Sequence, residues 1–236
     1  MSDVLPSGEI EISFEGMSVC IAIPSYNEQV PIDLAVALIE AVSNLRLKGV
    51  KVAIATERGN ALIDLARSRL ATKFIDKTTY QKIFWIDDDI IFDPADFERL
   101  LAWSTMYPIV AATYPARMEP AKFFIRRESE KWDQNQYGLF KVIGCGMGFC
   151  VMDRSVFEKL LPTTETFIIA DEEIHRFFKM EYKDGRYFGE DICFLKNWHE
   201  NYEGFVMLDS AINLKHVGTK QYDYKFSDYI MGVCNE

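Results

Sequence analysis

Short apolar runs alternate with segments of helical periodicity along the first half of the chain. The run Ser18–Pro24 leads into Ser-Tyr-Asn-Glu, which predicts a buried strand that stops at a loop. In Asp33–Lys48, apolar residues recur every three or four positions, which predicts a helix that ends at Gly49. The same reading predicts strands at Val50–Ala55, Lys82–Ile86 and Ile109–Thr113, and helices at Gly59–Lys73 and Pro94–Ser104. This alternation predicts an α/β domain with a mainly parallel central sheet flanked by helices.

After Tyr114 the alternation ends, and shorter elements are predicted. They are strands at Phe123–Ile125, Leu139–Ile143, Phe149–Met152 and Val206–Asp209, and helices at Arg154–Leu161 and Asp191–Asn201. No internal repeat, low-complexity tract or linker divides the chain. We therefore predict a single domain over residues 1–236, with a regular half at about 18–114 and an irregular half at about 115–236.

Composition and charge exclude several classes of protein. Of the 236 residues, 49% are hydrophobic and 26% are charged, which is the balance of a globular domain and not of a disordered or fibrous chain. The net charge of −10 argues against a broad surface for nucleic acid or anionic membranes. We expect no membrane span and no signal peptide. The cysteines are Cys20, Cys145, Cys150, Cys193 and Cys234; without a C-x-x-C pair they indicate reduced thiols in a cytoplasmic protein.

Three consecutive carboxylates, Asp87, Asp88 and Asp89, directly follow the third predicted strand. Adjacent carboxylates repel one another and resist burial, so solvent or a bound cation must compensate their charge. In open α/β sheets, ligands bind at the carboxyl ends of strands, and hard divalent cations prefer carboxylate oxygen. The alternative is a solvated turn ahead of a helix that Asp93 caps. The apolar flanks of the triplet favour a cation site.

Four segments, in this order, resemble nucleotide-sugar-dependent glycosyltransferases of the GT-A class, close to the family 2 type. Ile21–Glu28 resembles the first strand and nucleotide-contacting loop of that class, and Asp87–Asp89 resembles its D-x-D motif. Gly189–Asp191 resembles the late E-D motif, and Leu214–Gly218 resembles a segment that supplies a histidine to the metal. The similarity covers about Val19 to Gly218, and some small enzymes of this kind are encoded by phages.

The resemblance implies a single GT-A-like (Rossmann-like) domain whose first half binds nucleotide and metal and whose second half binds the acceptor. It implies Mn²⁺ or Mg²⁺, with Asp89 and His216 as ligands, Asp87 at the ribose or at a metal-bound water, and Asp88 in either of these two roles. The donor is a nucleotide-diphosphate sugar, by default a UDP-sugar. The implied donor-binding residues are Pro24, Ser25, Tyr26, Glu28, Arg58, Arg67, Asp87, Asp88, Gly146 and Lys215. For several of these residues a purely structural role is the alternative to ligand binding. The alternatives are strand termination for Pro24, a solvated helix face for Arg67, a tight turn for Gly146 and an ordinary hydrogen-bonded histidine for His216.

Two adjacent carboxylates after Gly189 fit the proton transfer that an inverting reaction needs. We predict Asp191 as the base and Glu190 as its acceptor-side partner. A helix N-terminus, where Asp is a preferred residue, is the alternative reading of the same positions.

Three alternatives to this function remain at this point. One is a D-x-D phosphatase, although the phosphatase motif follows the first strand and not the third. Another is a noncatalytic module that binds nucleotide sugars. The third is a phage-type enzyme that glycosylates hydroxymethylated pyrimidines in DNA, against which the net charge of −10 argues. The acceptor is otherwise any hydroxyl-bearing molecule.

Overall fold

The computed structural model describes residues 3–4, 11–218 and 222–232, and an eight-stranded sheet forms its centre. In chain order the strands are β1 (Asp3–Val4), β2 (Glu11–Ile12), β3 (Ser18–Ser25), β4 (Lys51–Arg58), β5 (Lys82–Ile86), β6 (Ile90–Ile91), β7 (Ile109–Ala111), β8 (Ile125–Arg126), β9 (Asp133–Gln134), β10 (Leu139–Val142), β11 (Gly144–Cys145), β12 (Phe149–Asp153), β13 (Thr166–Ile169), β14 (Glu172–His175), β15 (Glu181–Lys183), β16 (Arg186–Phe188), β17 (Val206–Asp209), β18 (Lys215–His216) and β19 (Tyr222–Asp223). The helices are α1 (Ile32–Leu47), α2 (Ile63–Lys77), α3 (Pro94–Trp103), α4 (Arg154–Leu160), α5 (Glu190–Tyr202) and α6 (Phe226–Ile230), with a 3-10 turn at Leu161–Thr163.

The central sheet has the strand order β4-β3-β5-β12-β7-β17-β10-β9. Strands β12 and β10 run against the direction that the other six share. The predicted α/β class with a mainly parallel sheet is therefore confirmed. Because β12 runs backwards between β5 and β7, its first residues lie beside the last residues of β5, where the acidic triplet begins.

Helices cover both faces of the sheet, and each face has its own apolar core. On one face, α1 and α3 bury residues such as Leu34 and Phe97 against the strands. On the other face, α2, α4 and α5 bury residues such as Phe74, Phe157 and Phe194. The helical spacing in the sequence places these side chains on one stripe of each helix, and burial of that stripe stabilises the fold.

The boundary between β4 and α2 differs from the prediction. Strand β4 continues to Arg58, which pairs with Ser25 at the end of β3, and α2 begins only at Ile63. Gly59 turns the chain with a positive φ of 68°, a backbone conformation that favours glycine. The predicted cap of α3 is confirmed, since the Asp93 carboxylate accepts a hydrogen bond from the backbone N–H of Ala95 at 2.9 Å.

Two further expectations concern membranes and thiols. Among the residues that the structure describes, no helix is both long enough and apolar enough to cross a membrane. Four of the cysteines, Cys20, Cys145, Cys150 and Cys193, are buried and free, as reduced thiols would be. Cys234 lies outside the described residues.

Candidate functional site

Asp87, the first residue of the acidic triplet, forms hydrogen bonds with three other parts of the chain. Its backbone N–H donates to the Gly148 carbonyl at 3.0 Å, and Nη2 of Arg67 donates to its Oδ1 at 2.6 Å. The hydroxyl of Tyr114 lies 3.4 Å from its other oxygen. Burial raises the pKa of Asp87, and the nearby Arg67 opposes this rise. One carboxylate oxygen of Asp87 is thus paired with Arg67, and its contact with a ribose or with a metal-bound water stays a prediction.

Arg67 lies inside the protein, and its position differs from the predicted one. Its side chain is only 3% exposed, and its Nε donates to Oε1 of Glu190 at 3.1 Å while Nη2 binds Asp87. The guanidinium also lies 5.5 Å from the ring centroid of Trp85. The prediction that Arg67 contacts the nucleotide is thus corrected: its charge is buried and compensates two carboxylates, so it is not exposed to a diphosphate.

Asp88 faces the loop that follows β3. Its Oδ2 accepts a hydrogen bond of 2.6 Å from the hydroxyl of Ser25, and partial burial raises its pKa while that hydrogen bond opposes the rise. Together with Tyr26, which is 60% exposed, Asp88 lines an open cavity of about 530 Å³. Pro24 is buried in β3, and Glu28 has a positive φ of 57° in the loop beside it. This cavity is within the size range of small-molecule sites.

Asp89 and His216 come together because β18 pairs with β6, the short strand directly after the triplet. The Nε2 atom of His216 lies 3.5 Å from Oδ2 of Asp89. The other ring nitrogen, Nδ1, lies 2.8 Å from the carbonyl oxygen of Pro115. A carbonyl only accepts, so Nδ1 carries a proton, and Nε2 is the ring nitrogen that faces the carboxylate. Two electron-pair donors that face one another suit a cation between them.

A guanidinium supplies a positive charge to this pair in the structure. Arg117, in the irregular segment after β7, forms an ion pair with Oδ2 of Asp89 through its Nη2. Nothing in the sequence pattern marks Arg117, because it belongs to no periodic element. Among the residues described, no group of three or more His, Cys, Asp or Glu side chains is arranged to hold a metal ion. Of the predicted ligands, Asp89 and His216 lie side by side, as a pair and not as such a group.

Glu190 and Asp191 begin α5, and their side chains take different environments. Glu190 is 8% exposed and is paired with Arg67. Asp191 accepts a hydrogen bond from the backbone N–H of Ile192 at 2.6 Å. Burial, with a smaller effect of the negative charge of Glu190, raises the pKa of Asp191 to about 6. A carboxyl group with that pKa is suited to accept a proton near neutral pH.

A second cavity, of about 320 Å³, joins these groups. It is lined by Asp89, His216, Asp191, Tyr114, Arg117 and Gly146, among others. Asp89 and Arg117 also line the larger cavity beside Tyr26, so the two cavities meet at this ion pair. The predicted metal ligands and the predicted base thus lie around one space.

The glycines before β12 allow this space to form. A Cβ atom at Gly148 would lie 2.6 Å from Oδ2 of Asp87, and one at Gly146 would lie 2.9 Å from the hydroxyl of Tyr114. Both distances are too short for real contacts, so glycine is needed at Gly148 and favoured at Gly146. Sequence reasoning singled out Gly146 within the segment Gly144–Gly148, whose G-x-G-x-G pattern indicates a close backbone approach, but it missed Tyr114.

The two remaining predicted donor-binding residues lie near this edge of the sheet. Arg58 is exposed and pairs with Ser25 at the ends of β4 and β3. The Nζ atom of Lys215 lies 3.8 Å from Asp223 in the neighbouring strand. Their contacts with a ligand stay predictions.

No protein-family model matches the chain, and no curated protein matches its sequence. Among solved structures, A197 from STIV matches 89% of this chain and 91% of its own, with 18% identity and a TM-score of 0.57. TarS 1-349 from S. aureus, in complex with UDP-GlcNAc, matches over 82% of this chain and 56% of its own, with 10% identity and a TM-score of 0.46. The likeness to A197 shows a shared fold. With the strand order described above, it confirms the predicted GT-A-like α/β fold.

Proposed function

We propose that the protein is a metal-dependent glycosyltransferase that moves one hexosyl or pentosyl group from a nucleotide-diphosphate sugar to a hydroxyl acceptor. One observation carries the proposal: Asp89, His216 and Asp191 line one cavity, which meets a second cavity at Asp89 and Arg117. A donor has two dissimilar parts, nucleotide and sugar, joined by a diphosphate. Two cavities that meet at charged side chains suit such a molecule.

The nucleotide occupies the larger cavity, beside the loop after β3. Tyr26 offers an exposed ring on which a base can stack, and Asp88, oriented by Ser25, can accept a hydrogen bond from a ribose hydroxyl. Arg58 and Lys215 supply positive charge near the same edge, while Pro24 and Glu28 shape the loop. A UDP-sugar is the default donor of the class that the sequence resembles.

Mn²⁺ or Mg²⁺, when bound, neutralises the charge that develops on the departing diphosphate. Asp89 and His216 would hold it, because they are the carboxylate and imidazole that face one another beside the ion pair at which the cavities meet. Arg117 lies at the same place, and its guanidinium is suited to bind diphosphate oxygens.

Asp191 acts as the base of an inverting transfer. It accepts the proton of the acceptor hydroxyl as the acceptor oxygen forms a bond to the anomeric carbon. The bond between that carbon and the diphosphate oxygen breaks, and the nucleoside diphosphate leaves with the electron pair. Glu190 is tied to Arg67, so in this proposal it orients the start of α5 and does not itself accept the proton.

Release of nucleoside diphosphate from a panel of UDP-, GDP- and dTDP-sugars tests this function. We expect release from at least one donor with Mn²⁺ present and none with EDTA. Hydrolysis of para-nitrophenyl phosphate in the absence of donor turnover would indicate a phosphatase instead. Binding of a nucleotide sugar with no release, in the presence of candidate hydroxyl acceptors, would indicate a noncatalytic module.

A further inference from the structure

A second concave site, rich in positive charge, lies next to the proposed catalytic cavity. It has a volume of about 340 Å³ and lies between the β15–β16 hairpin, β8 and the start of α5. Four cationic side chains line it: Arg126, Lys183, Arg186 and Lys196. Only two acidic residues, Glu181 and Asp184, line it as well. On a chain with a net charge of −10, this local excess of positive charge needs a physical reason.

Three of these four cations form no ion pair in the described part of the chain, whereas Lys196 pairs with Glu200 at 3.7 Å. Lys183 and Arg186 are direct partners across the hairpin, and like charges in that position destabilise a strand pair. Neither they nor Arg126 form an ion pair with another residue in the described part of the chain. The acidic Glu181 is itself paired with Lys179 at 2.9 Å. An anion bound in the cavity would relieve the repulsion.

The cavity adjoins the proposed reaction centre through two short segments. In the first turn of α5, Asp191 lines the catalytic cavity and the next residue, Ile192, lines the basic one. Similarly, Phe124 lines the catalytic cavity and Arg126, two residues later, lines the basic one. The two cavities are therefore neighbours, lined by adjacent residues of the same two segments.

We propose that the basic cavity binds a phosphate group of the acceptor, so that the acceptor is a phosphorylated molecule whose free hydroxyl reaches Asp191. This inference rests on the proposed glycosyl transfer, because it assigns the cavity to the acceptor of that reaction. Its size suits one small group. Duplex DNA needs a row of phosphate contacts, and the acidic charge of the rest of the chain disfavours it.

The test measures binding of glycerol 3-phosphate, as the probe, by isothermal titration calorimetry. The variants Lys183→Glu and Arg186→Glu reverse the charge of exposed side chains on the hairpin, so we expect both variants to fold. Lys77→Glu, at the exposed end of α2, makes the same charge change far from the cavity along the chain and is the matched control. We expect each hairpin variant to weaken binding by about tenfold or more, because a charged contact becomes repulsive. The control should bind as the wild type does.

Titration of UDP with Mn²⁺ into the same proteins separates the two proposals. UDP binding that is unchanged in the hairpin variants, while glycerol 3-phosphate binding is lost, supports the inference. Equal binding of the probe by all variants, or no binding while UDP still binds, overturns the inference but leaves the proposed function standing. If the wild type binds none of UDP, GDP, CDP and dTDP with Mn²⁺, the proposed function fails and, with it, the assignment of the cavity to an acceptor. Tighter binding of a DNA duplex that the same variants abolish would assign the cavity to nucleic acid.

Discussion

The Nε atom of Arg67 donates a hydrogen bond to Glu190, 123 residues later in the chain, at 3.1 Å. Through this contact, the middle of α2 fixes the first residue of α5. Because the same guanidinium also binds Asp87, a single buried side chain links the end of β5 to the helix that carries the proposed base. The acidic site is thus built around a buried internal cation.

Replacement of Arg67 by Ala should strongly destabilise the protein. It would leave Asp87 and Glu190 without their buried partner, and breaking such a pair costs about 3–5 kcal/mol. Arg69→Ala is the control. Its partner Glu57 would still be paired with Lys73, and the Arg69 side chain is more exposed than that of Arg67. Urea denaturation measures both free energies of unfolding. Equal losses of free energy of unfolding in the two variants would show that the ion pairs of Arg67 are no more important for stability than those of Arg69.

Replacement of Asp191 by Asn should abolish transfer while it leaves nucleotide binding intact. The amide cannot accept the proton, yet its oxygen can still accept the hydrogen bond from Ile192. In the wild type, kcat/KM should rise with pH and level off above about 6, because the base must be ionised. Asp171→Asn, in an exposed turn, should behave as the wild type does. Transfer by Asp191→Asn at the wild-type rate would exclude Asp191 as the base.

The variant Asp191→Asn should have a larger free energy of unfolding than the wild type at pH 8. Asp191 has a pKa of about 6 in the folded protein, against an ordinary value of 3.8, so the folded state binds more protons between these values. The stability that this group contributes is therefore present below about pH 4 and is lost as pH rises through 6. Asn does not titrate, so its advantage should grow over this window to about 1–3 kcal/mol. Denaturation curves at pH 4 and pH 8 measure it; no difference between the two pH values would contradict the burial of this carboxylate.

Gly148→Ala should distort the site and lower both stability and activity. The added methyl group would lie 2.6 Å from Asp87 and 2.7 Å from the hydroxyl of Tyr114, and neither group can move without breaking its own contacts. Overpacking of this kind costs about 1–3 kcal/mol. At Gly144 the nearest atom is the end of the Ile192 side chain at 3.2 Å, so Gly144→Ala should be milder. The reverse order of melting temperatures would refute this account.

The part of the site that lies at the ends of regular strands can be predicted from the sequence, because short stretches of the chain determine it. Apolar runs define β3 and β5, and polar residues directly after a strand must lie at its carboxyl end. This suffices to bring Ser25 and Asp88 to one edge of the sheet, where they form a hydrogen bond of 2.6 Å. Helix α1 can likewise be predicted from the regular spacing of apolar residues such as Leu34 and Leu45, which are buried.

Other parts of the site depend on contacts between distant segments, which periodicity does not encode. His216 meets Asp89 only because β18 pairs with β6, and both are two-residue strands with no pattern of their own. Arg117 lies in an irregular segment, and the burial of Arg67 depends on how α2 packs against α5. The basic cavity likewise arises from the β15–β16 hairpin, which the apolar pattern did not predict.

Metal-dependent binding of a nucleoside diphosphate tests the central claim most directly. Thermal unfolding with UDP, GDP, CDP and dTDP, each with Mn²⁺ and with EDTA, should show stabilisation by at least one of them with Mn²⁺ only. A ligand at 100 times its Kd adds about 2.7 kcal/mol to the free energy of unfolding. His216→Ala should lose this increase, whereas His175→Ala, on the β13–β14 hairpin, should keep it. If no nucleoside diphosphate stabilises the wild type in a metal-dependent way, the proposed metal-dependent nucleotide-sugar site is contradicted.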